Sequence, residues 1–175
     1  MININESLCF TGHRPQKLTG FKASDNKELL LALKDMIVDH IENKGVTTFI
    51  SGMALGIDIW SARIVIALRE SKYPHIKLVS AIPCANQYSI WKDQKVVDEW
   101  NYIVENADVV HYVSDEPYTA WCLQKRNEWM VDNSSHIISV WDGTAGGTSN
   151  CIKYAHKHNK KVLNLNPKTL EKSYI

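Results

Sequence analysis

The residues best suited to chemistry lie in a glycine-rich stretch at positions 141–150. Gly143, Gly146 and Gly147 fall within five positions, and glycine allows positive φ and a close approach of the backbone to a ligand. The stretch follows an apolar run and precedes a helical pattern, so it would present free amides at a helix start, where anions bind. Phosphate binding is one interpretation. The other is an ordinary tight turn in which Thr148, Ser149 or Asn150 caps the helix.

Two basic side chains follow the first apolar run. Arg14 ends the segment Thr11-Gly12-His13-Arg14, and a guanidinium there can hold a phosphate through two hydrogen bonds. Its alternative role is a surface salt bridge. His13 can donate to the same phosphate or make a structural hydrogen bond.

Two carboxylates are candidates for contact with the rest of a ligand. Asp58 lies near a predicted helix start, where it either offsets the helix dipole or contacts a ribose hydroxyl. Asp142 either accepts hydrogen bonds from a ribose or orients the glycine-rich loop.

Four further polar or aromatic residues lie on predicted helices. Gln87 and Trp91 are four residues apart, on one face of a predicted helix, and Trp91 either stacks on a base or packs in the core. Arg126 and Asn127 point about 100° apart around a helix, so both need not face a ligand. Arg126 either reaches the ligand or pairs with a neighbouring carboxylate.

Alternating apolar runs and helical patterns must position these residues. Apolar runs predict six strands, at residues 6–11, 46–51, 76–82, 109–113, 136–141 and 162–165. Helical periodicity predicts five helices, at residues 25–43, 57–71, 87–106, 120–133 and 149–158.

The strand pattern predicts the fold class. The strands are short and continuously apolar, as in a parallel sheet buried on both faces. With right-handed crossovers this is an α/β, Rossmann-like doubly wound fold, with a mainly parallel sheet and helices on both faces. We expect one domain over residues 1–175, with a core at about 6–165 and a loose tail at 166–175.

In such a sheet, several loops meet at the carboxyl ends of the strands. One helix N-terminus contributes only about 0.3–1 kcal/mol to binding an anion, whereas micromolar affinity needs about 8 kcal/mol. A ligand site therefore needs loops to converge, and the alternating pattern predicts that they do.

Composition disfavours some partners. A formal net charge of +1 disfavours a broad nucleic-acid surface, and no apolar stretch is long enough to cross a bilayer. The sequence lacks a signal-peptide pattern, and the cysteines form no CxxC pair, so we expect a cytoplasmic protein with reduced thiols and no metal site.

Four motifs in order carry a family resemblance. Ser51-Gly-Met-Ala-Leu-Gly-Ile-Asp58 resembles the SGxAxGID motif of DprA-type DNA-processing proteins. The segments at residues 11–15, 126–132 and 141–148 together resemble the YpsA-like family of the SLOG (SMF/DprA and LOG) superfamily. The resemblance extends from about residue 8 to residue 165.

The resemblance implies a Rossmann-like fold and a pocket for a nucleotide or an NAD- or ADP-ribose-derived ligand, in a protein acting as a sensor or sequestering protein. It also suggests a homo-oligomer. No cofactor is firmly implied. The ligand-binding candidates are Thr11, Gly12, His13, Arg14, Ser51, Gly52, Met53, Gly56, Asp58, Pro83, Gln87, Trp91, Arg126, Asn127, Asp142, Gly143, Thr144, Gly146, Gly147 and Thr148.

Two alternative functions follow from other branches of the superfamily. LOG enzymes, which release ribose 5-phosphate from modified AMP, carry a PGGxGTxxE pattern. Here Gly146-Gly147-Thr148 matches only part of it, without the proline or the glutamate. A nucleotide N-glycosidase is therefore an alternative that depends on Asp142 or Asp58. Single-stranded DNA binding, as in DprA, is the second alternative.

Overall fold

Short apolar segments form a single sheet in the computed structural model, which describes residues 1–175. The strands are β1 (Ser7–Gly12), β2 (Thr48–Ser51), β3 (Lys77–Ile82), β4 (Val109–Tyr112), β5 (His136–Val140), β6 (Leu163–Leu165) and β7 (Lys172–Tyr174). Their order is β4-β3-β2-β1-β5-β6-β7. All neighbouring pairs are parallel except the β6–β7 pair.

Five helices connect the strands: α1 (Lys27–Lys44), α2 (Ile57–Ser71), α3 (Gln94–Asn106), α4 (Ala120–Asp132) and α5 (Gly147–Lys157). Side chains of the first three join one hydrophobic cluster, and those of the last two join another. The helices therefore cover both faces of the sheet. None of them is both long and apolar enough to cross a membrane.

Alternation along β1 shows how the sheet separates these two clusters. Leu8 and Phe10 belong to the cluster of α1, α2 and α3, whereas Cys9 belongs to the cluster of α4 and α5. All three side chains are fully buried, and burying a large apolar side chain contributes about 1.5–3 kcal/mol. Consecutive apolar residues of this strand are thus buried on both sides of the sheet.

The predicted fold class is confirmed: the protein has an α/β, mainly parallel, doubly wound sheet. The chain leaves β1 on one side towards β2 and enters β5 on the other side of β1. Loops that follow such a pair of strands diverge and leave a crevice at their carboxyl ends. The loops after β1 and β5 are the two segments in which the sequence places its basic and glycine-rich motifs.

The helix predicted over residues 87–106 is wrong in its first part. A single 3₁₀ turn spans Gln87–Ile90, and α3 begins only at Gln94. The Asp93 side chain accepts a hydrogen bond from the Lys95 amide and caps the new helix. Gln87 and Trp91 therefore do not share a helix face.

The prediction of a loose tail at residues 166–175 is also wrong. Residues 172–174 form β7, which pairs antiparallel with β6. Asn166 and Glu171 join the turn between them through a backbone hydrogen bond of 2.9 Å. A polar edge strand has no apolar run, so hydrophobic periodicity does not detect it.

Two glycines let the loops after β1 and β2 pack against each other. A Cβ added to Gly12 would lie 2.6 Å from side-chain atoms of Ile57. Gly56 has a φ of +88°, and a Cβ there would lie 2.6 Å from the carbonyl oxygen of His13. The two loops can approach this closely only because these positions lack side chains.

We predict that Gly56→Ala lowers the free energy of unfolding by about 3 kcal/mol, through backbone strain and the clash with His13. Gly45→Ala is the matched control, since Gly45 also has positive φ (+67°) but no atom within 4 Å of an added Cβ. That variant should lose about 1 kcal/mol. Urea denaturation measures both, and equal losses would contradict the close packing of these loops.

Candidate functional site

A polar cavity of about 270 Å³ lies where the loops after β1, β2 and β5 meet helix α4. Only two of its lining residues, Ala54 and Leu123, are hydrophobic. The full lining is Thr11, Gly12, His13, Arg14, Gln16, Lys17, Ala54, Asp58, Leu123, Arg126, Asn127, Thr144, Gly146, Gly147 and Thr148. Arg14 and Gly147, from the two motifs most distant in sequence, thus share one cavity.

The start of α5 forms one wall. The helix begins at Gly147, two residues earlier than predicted, so Gly147 and Thr148 occupy its first turn, where amides lack intrahelical acceptors. The preceding Gly146 has a φ of +150°, which only glycine adopts easily. Ser149 Oγ caps the turn by bonding to the backbone of Gly146, at 3.1 Å from its nitrogen and 2.9 Å from its oxygen.

Arg126 contributes a buried positive charge to the floor. Its residue exposure is 6 %. Nη1 donates to the Gly52 carbonyl oxygen and lies 3.6 Å from Asp58 Oδ2, while Nε donates to Asn127 Oδ1 at 3.1 Å. Nη2 has no acceptor in the protein, and it remains accessible to solvent. This nitrogen is therefore free to donate to a molecule in the cavity.

Arg14 and Lys17 lie at the rim, on a 3₁₀ turn that begins at Pro15. Lys17 Nζ donates to Thr144 Oγ1 at 3.1 Å and to the Ala145 carbonyl oxygen at 2.8 Å, so it joins this turn to the glycine-rich loop. Arg14 is exposed and makes neither an ion pair nor a side-chain hydrogen bond. The salt-bridge alternative considered for Arg14 has no partner here.

A buried hydrogen bond between side chains fixes the loop that precedes α5. His13 Nε2 lies 2.7 Å from Asp142 Oδ1, and their side chains are only 3 % and 6 % exposed. Asp142 also accepts from Lys168 Nζ at 2.9 Å and from Thr144 Oγ1 at 2.7 Å. The hydrogen bond from Lys168, followed by that from Thr144, holds the pKa of Asp142 well below its usual range.

Asp58 serves the interior more than the cavity. Its side chain is 5 % exposed, and Oδ2 accepts from the Ala54 amide at 3.3 Å. Burial raises the pKa of Asp58 above the ordinary carboxyl value, and the charge of Arg126 opposes that rise. The carboxylate therefore closes the turn before α2 and neutralises part of the buried guanidinium.

Of the predicted site residues, eleven line the cavity: Thr11, Gly12, His13, Arg14, Asp58, Arg126, Asn127, Thr144, Gly146, Gly147 and Thr148. The others lie outside its lining: Ser51, Gly52, Met53, Gly56, Pro83, Gln87, Trp91, Asp142 and Gly143. Several of these residues contact the lining residues and hold them in place. Ser51 Oγ, for example, donates to the Asp58 carbonyl oxygen at 2.8 Å, and Met53 is fully buried.

Sequence reasoning missed four lining residues: Gln16, Lys17, Ala54 and Leu123. A proline at the first position of a helical turn is a recognised start signal, and Pro15 could have indicated that Lys17 turns back towards Arg14. Nothing in the helical pattern around Leu123 distinguishes it from a core residue.

The fold and this cavity define a class, a Rossmann-like α/β protein with a polar cavity at the carboxyl edge of its sheet. The YpsA family model, described as the YspA SLOG family, matches residues 8–172. The chain belongs to this SLOG family.

Relatives agree with that assignment. The SPbeta prophage-derived protein YoqJ of Bacillus subtilis is 37% identical over 146 residues, which is 73% of this chain and 82% of YoqJ. A UPF0398 protein of Brevibacillus brevis is 36% identical over 112 residues, which is 63% of this chain and 58% of that protein.

Two solved structures share the fold at low sequence identity. DNA processing protein A (DprA) of Streptococcus pneumoniae has a TM-score of 0.63 at 15% identity. The match covers 94% of this chain and 52% of the S. pneumoniae chain. DprA of Helicobacter pylori, a protein with a single-stranded DNA binding mode, has a TM-score of 0.61 at 17% identity. The match covers 97% of this chain and 69% of the H. pylori chain.

We predict that Asp142→Asn lowers the free energy of unfolding at pH 7 by about 2 kcal/mol, because it weakens buried hydrogen bonds to a charged group. A carboxyl with a depressed folded pKa adds stability above its unfolded pKa of about 3.9, and that stability is lost as the pH falls towards the folded value. The gap between wild type and variant should therefore narrow from pH 7 to pH 3.

Urea denaturation across this pH range tests the prediction. Asp35→Asn is the control, since Asp35 is exposed on α1 and has no side-chain partner, and it should change stability by less than about 0.5 kcal/mol. A gap for Asp142→Asn that stays constant down to pH 3 would contradict the lowered pKa of Asp142.

Proposed function

We propose that this protein binds a small nucleotide-like ligand, and that it holds the ligand's phosphate between Arg14, Arg126 and the start of α5. One observation carries the proposal. The buried Arg126 lines a cavity that the first residues of α5 also line, and the Nη2 of its guanidinium has no acceptor in the protein. A helix start alone is a weak anion site, whereas a buried cation beside it supports charge-assisted hydrogen bonds.

The charge of the lining supports the same ligand class. Arg14, Lys17 and Arg126 contribute three cations, and Asp58 is the single carboxylate, so two positive charges remain in excess. A phosphate monoester carries about −1.5 to −2 at pH 7. A terminal phosphate would therefore balance the lining, and an uncharged ligand would leave two cations unpaired.

The interaction energies reach a useful affinity. Each hydrogen bond between charged groups contributes about 1.5–3 kcal/mol, and the two arginines with the α5 amides provide several. Together they approach the roughly 8 kcal/mol of micromolar binding, which a single loop cannot supply.

Family membership narrows the ligand class. The SLOG resemblance points to nucleotides and to NAD- or ADP-ribose-derived molecules, and we propose a sensor or sequestering role in the cytoplasm, with the chain acting as a homo-oligomer. The N-glycosidase alternative has less support from the geometry, because Asp142 is outside the lining and Asp58 is paired with Arg126. Single-stranded DNA binding, a property stated for DprA of H. pylori, is opposed by the formal net charge of +1.

Arg14→Gln is the variant that tests this proposal, since Arg14 is exposed and unpaired and its loss should leave the fold intact. Isothermal titration with AMP should show an affinity lower by roughly ten- to a hundredfold, the equivalent of one charge-assisted contact. Arg63→Gln is the control, because Arg63 is exposed on α2 and lies over the Tyr102 ring at 4.5 Å, outside the cavity.

Two results would refute the proposal. One is a wild-type protein that binds none of AMP, NAD and ADP-ribose at millimolar concentration. The other is an equal loss of affinity in Arg14→Gln and Arg63→Gln, which would indicate a general electrostatic effect with no defined phosphate site.

A further inference from the structure

A second, narrower cleft adjoins the polar cavity. It shares Arg14, Ala54 and Leu123 with that cavity, and its volume is about 10 Å³. Its other walls are mostly apolar or aromatic and include Trp91 and Tyr118. Ala54 and Leu123, the two hydrophobic residues of the polar cavity, thus also line the cleft. The apolar wall of the cavity therefore continues past Arg14 into the cleft.

Arg14 forms the boundary between the two spaces. Its side chain lines both, and it is exposed and has no ion pair. An unpaired exposed side chain changes rotamer within nanoseconds. Rotation of Arg14 would therefore join the cleft to the cavity at small cost.

The cleft has one firm wall and one adaptable wall. Trp91 is half-buried and packs against the main hydrophobic cluster. Tyr118 is half-buried as well, but only its backbone amide is held, by Asn86 Oδ1 at 3.1 Å. Ile90 on the same side is 49 % exposed. The Tyr118 ring and Ile90 can move aside without breaking a side-chain hydrogen bond.

The cleft offers few groups that could distinguish one base from another. The amide of Gln87 is already used, since Nε2 donates to the Met53 carbonyl oxygen at 2.9 Å and Oε1 accepts from Trp100 Nε1 at 3.2 Å. The hydroxyl of Tyr118 and the indole N–H of Trp91 are the remaining uncharged polar side-chain groups of the wall. Recognition there would depend on stacking, which tolerates any base because each presents a π-face.

From this geometry we propose that the cleft, which is closed to about 10 Å³ in this structure, opens to become the subsite for the flat heterocyclic ring of the ligand. Arg14 turns towards the phosphate, and the Tyr118 ring moves aside to admit the heterocycle and then stacks on it. The proposal rests on the proposed function, since the phosphate of the same molecule occupies the polar cavity. It assigns ring recognition to Tyr118, Trp91 and Leu123, and it predicts selection for the presence of an aromatic base with weak selection for its identity.

The test compares AMP with ribose 5-phosphate by isothermal titration, since the two differ only in the base. Wild type should bind AMP more tightly by roughly 5- to 150-fold, the contribution of one stacked base. In Tyr118→Ala this ratio should fall severalfold, through weaker AMP binding at unchanged ribose 5-phosphate affinity. Tyr118→Phe keeps the ring and should keep the ratio.

Trp121→Ala is the matched control, because Trp121 is a 54 % exposed aromatic residue at the start of α4 that lines neither space. It should preserve both affinities. If Tyr118→Ala is unstable, Ile90→Ser provides the same comparison, because Ile90 is 49 % exposed and lines the cleft but not the polar cavity.

The possible outcomes separate the two proposals. Equal affinity of wild type for AMP and ribose 5-phosphate overturns the ring subsite while leaving the phosphate site standing. A strong preference for AMP over GMP, or equal weakening of both AMP and ribose 5-phosphate in Tyr118→Ala, also overturns it. If wild type binds neither ligand, the proposed function fails and the subsite fails with it.

Discussion

The guanidinium of Arg126 joins segments that are far apart in the sequence, and the rest of the site depends on it. Nη1 donates to the Gly52 carbonyl oxygen after β2 and lies 3.6 Å from Asp58 on α2. Nε donates to Asn127 at 3.1 Å, and the Asn127 amide reaches the Gly147 carbonyl oxygen at 3.4 Å. Burying a charge costs several kcal/mol unless it is fully paired, so these contacts hold the loop after β2, α4 and α5 in one arrangement.

The motif at residues 51–58 has an architectural explanation within that arrangement. Ser51 Oγ accepts from the Met53 amide at 3.2 Å and donates to the Asp58 carbonyl oxygen at 2.8 Å. A Cβ on Gly52 would lie 2.7 Å from Arg126 Cζ, so this position admits only glycine while the guanidinium stays in place. A motif that suggests direct ligand contact thus mainly builds the floor beneath the cavity.

Hydrophobic periodicity predicted the helices and strands that are buried, and it failed where polar groups decide the structure. The break before α3 depends on the Asp93 cap, and β7 depends on backbone pairing with no apolar run. Side-chain direction was equally inaccessible: 3.6 residues per turn left open whether Arg126 faced a ligand or a carboxylate. In the structure its side chain lies beside Asp58 and also lines the cavity. The convergence of the loops was predictable because the parallel topology requires it.

Floor and rim are held by different means, and this difference has a functional consequence. Buried pairs fix the floor, at Arg126 with Asp58 and behind it at His13 with Asp142. The rim residue Arg14 has no partner. Changes at the rim can therefore alter the lining of the cavity without unfolding the protein, whereas changes in the floor disrupt the packing that forms it. Under the proposed function, a substitution of Arg14 weakens binding in a folded protein, and a substitution of Arg126 disrupts the cavity itself.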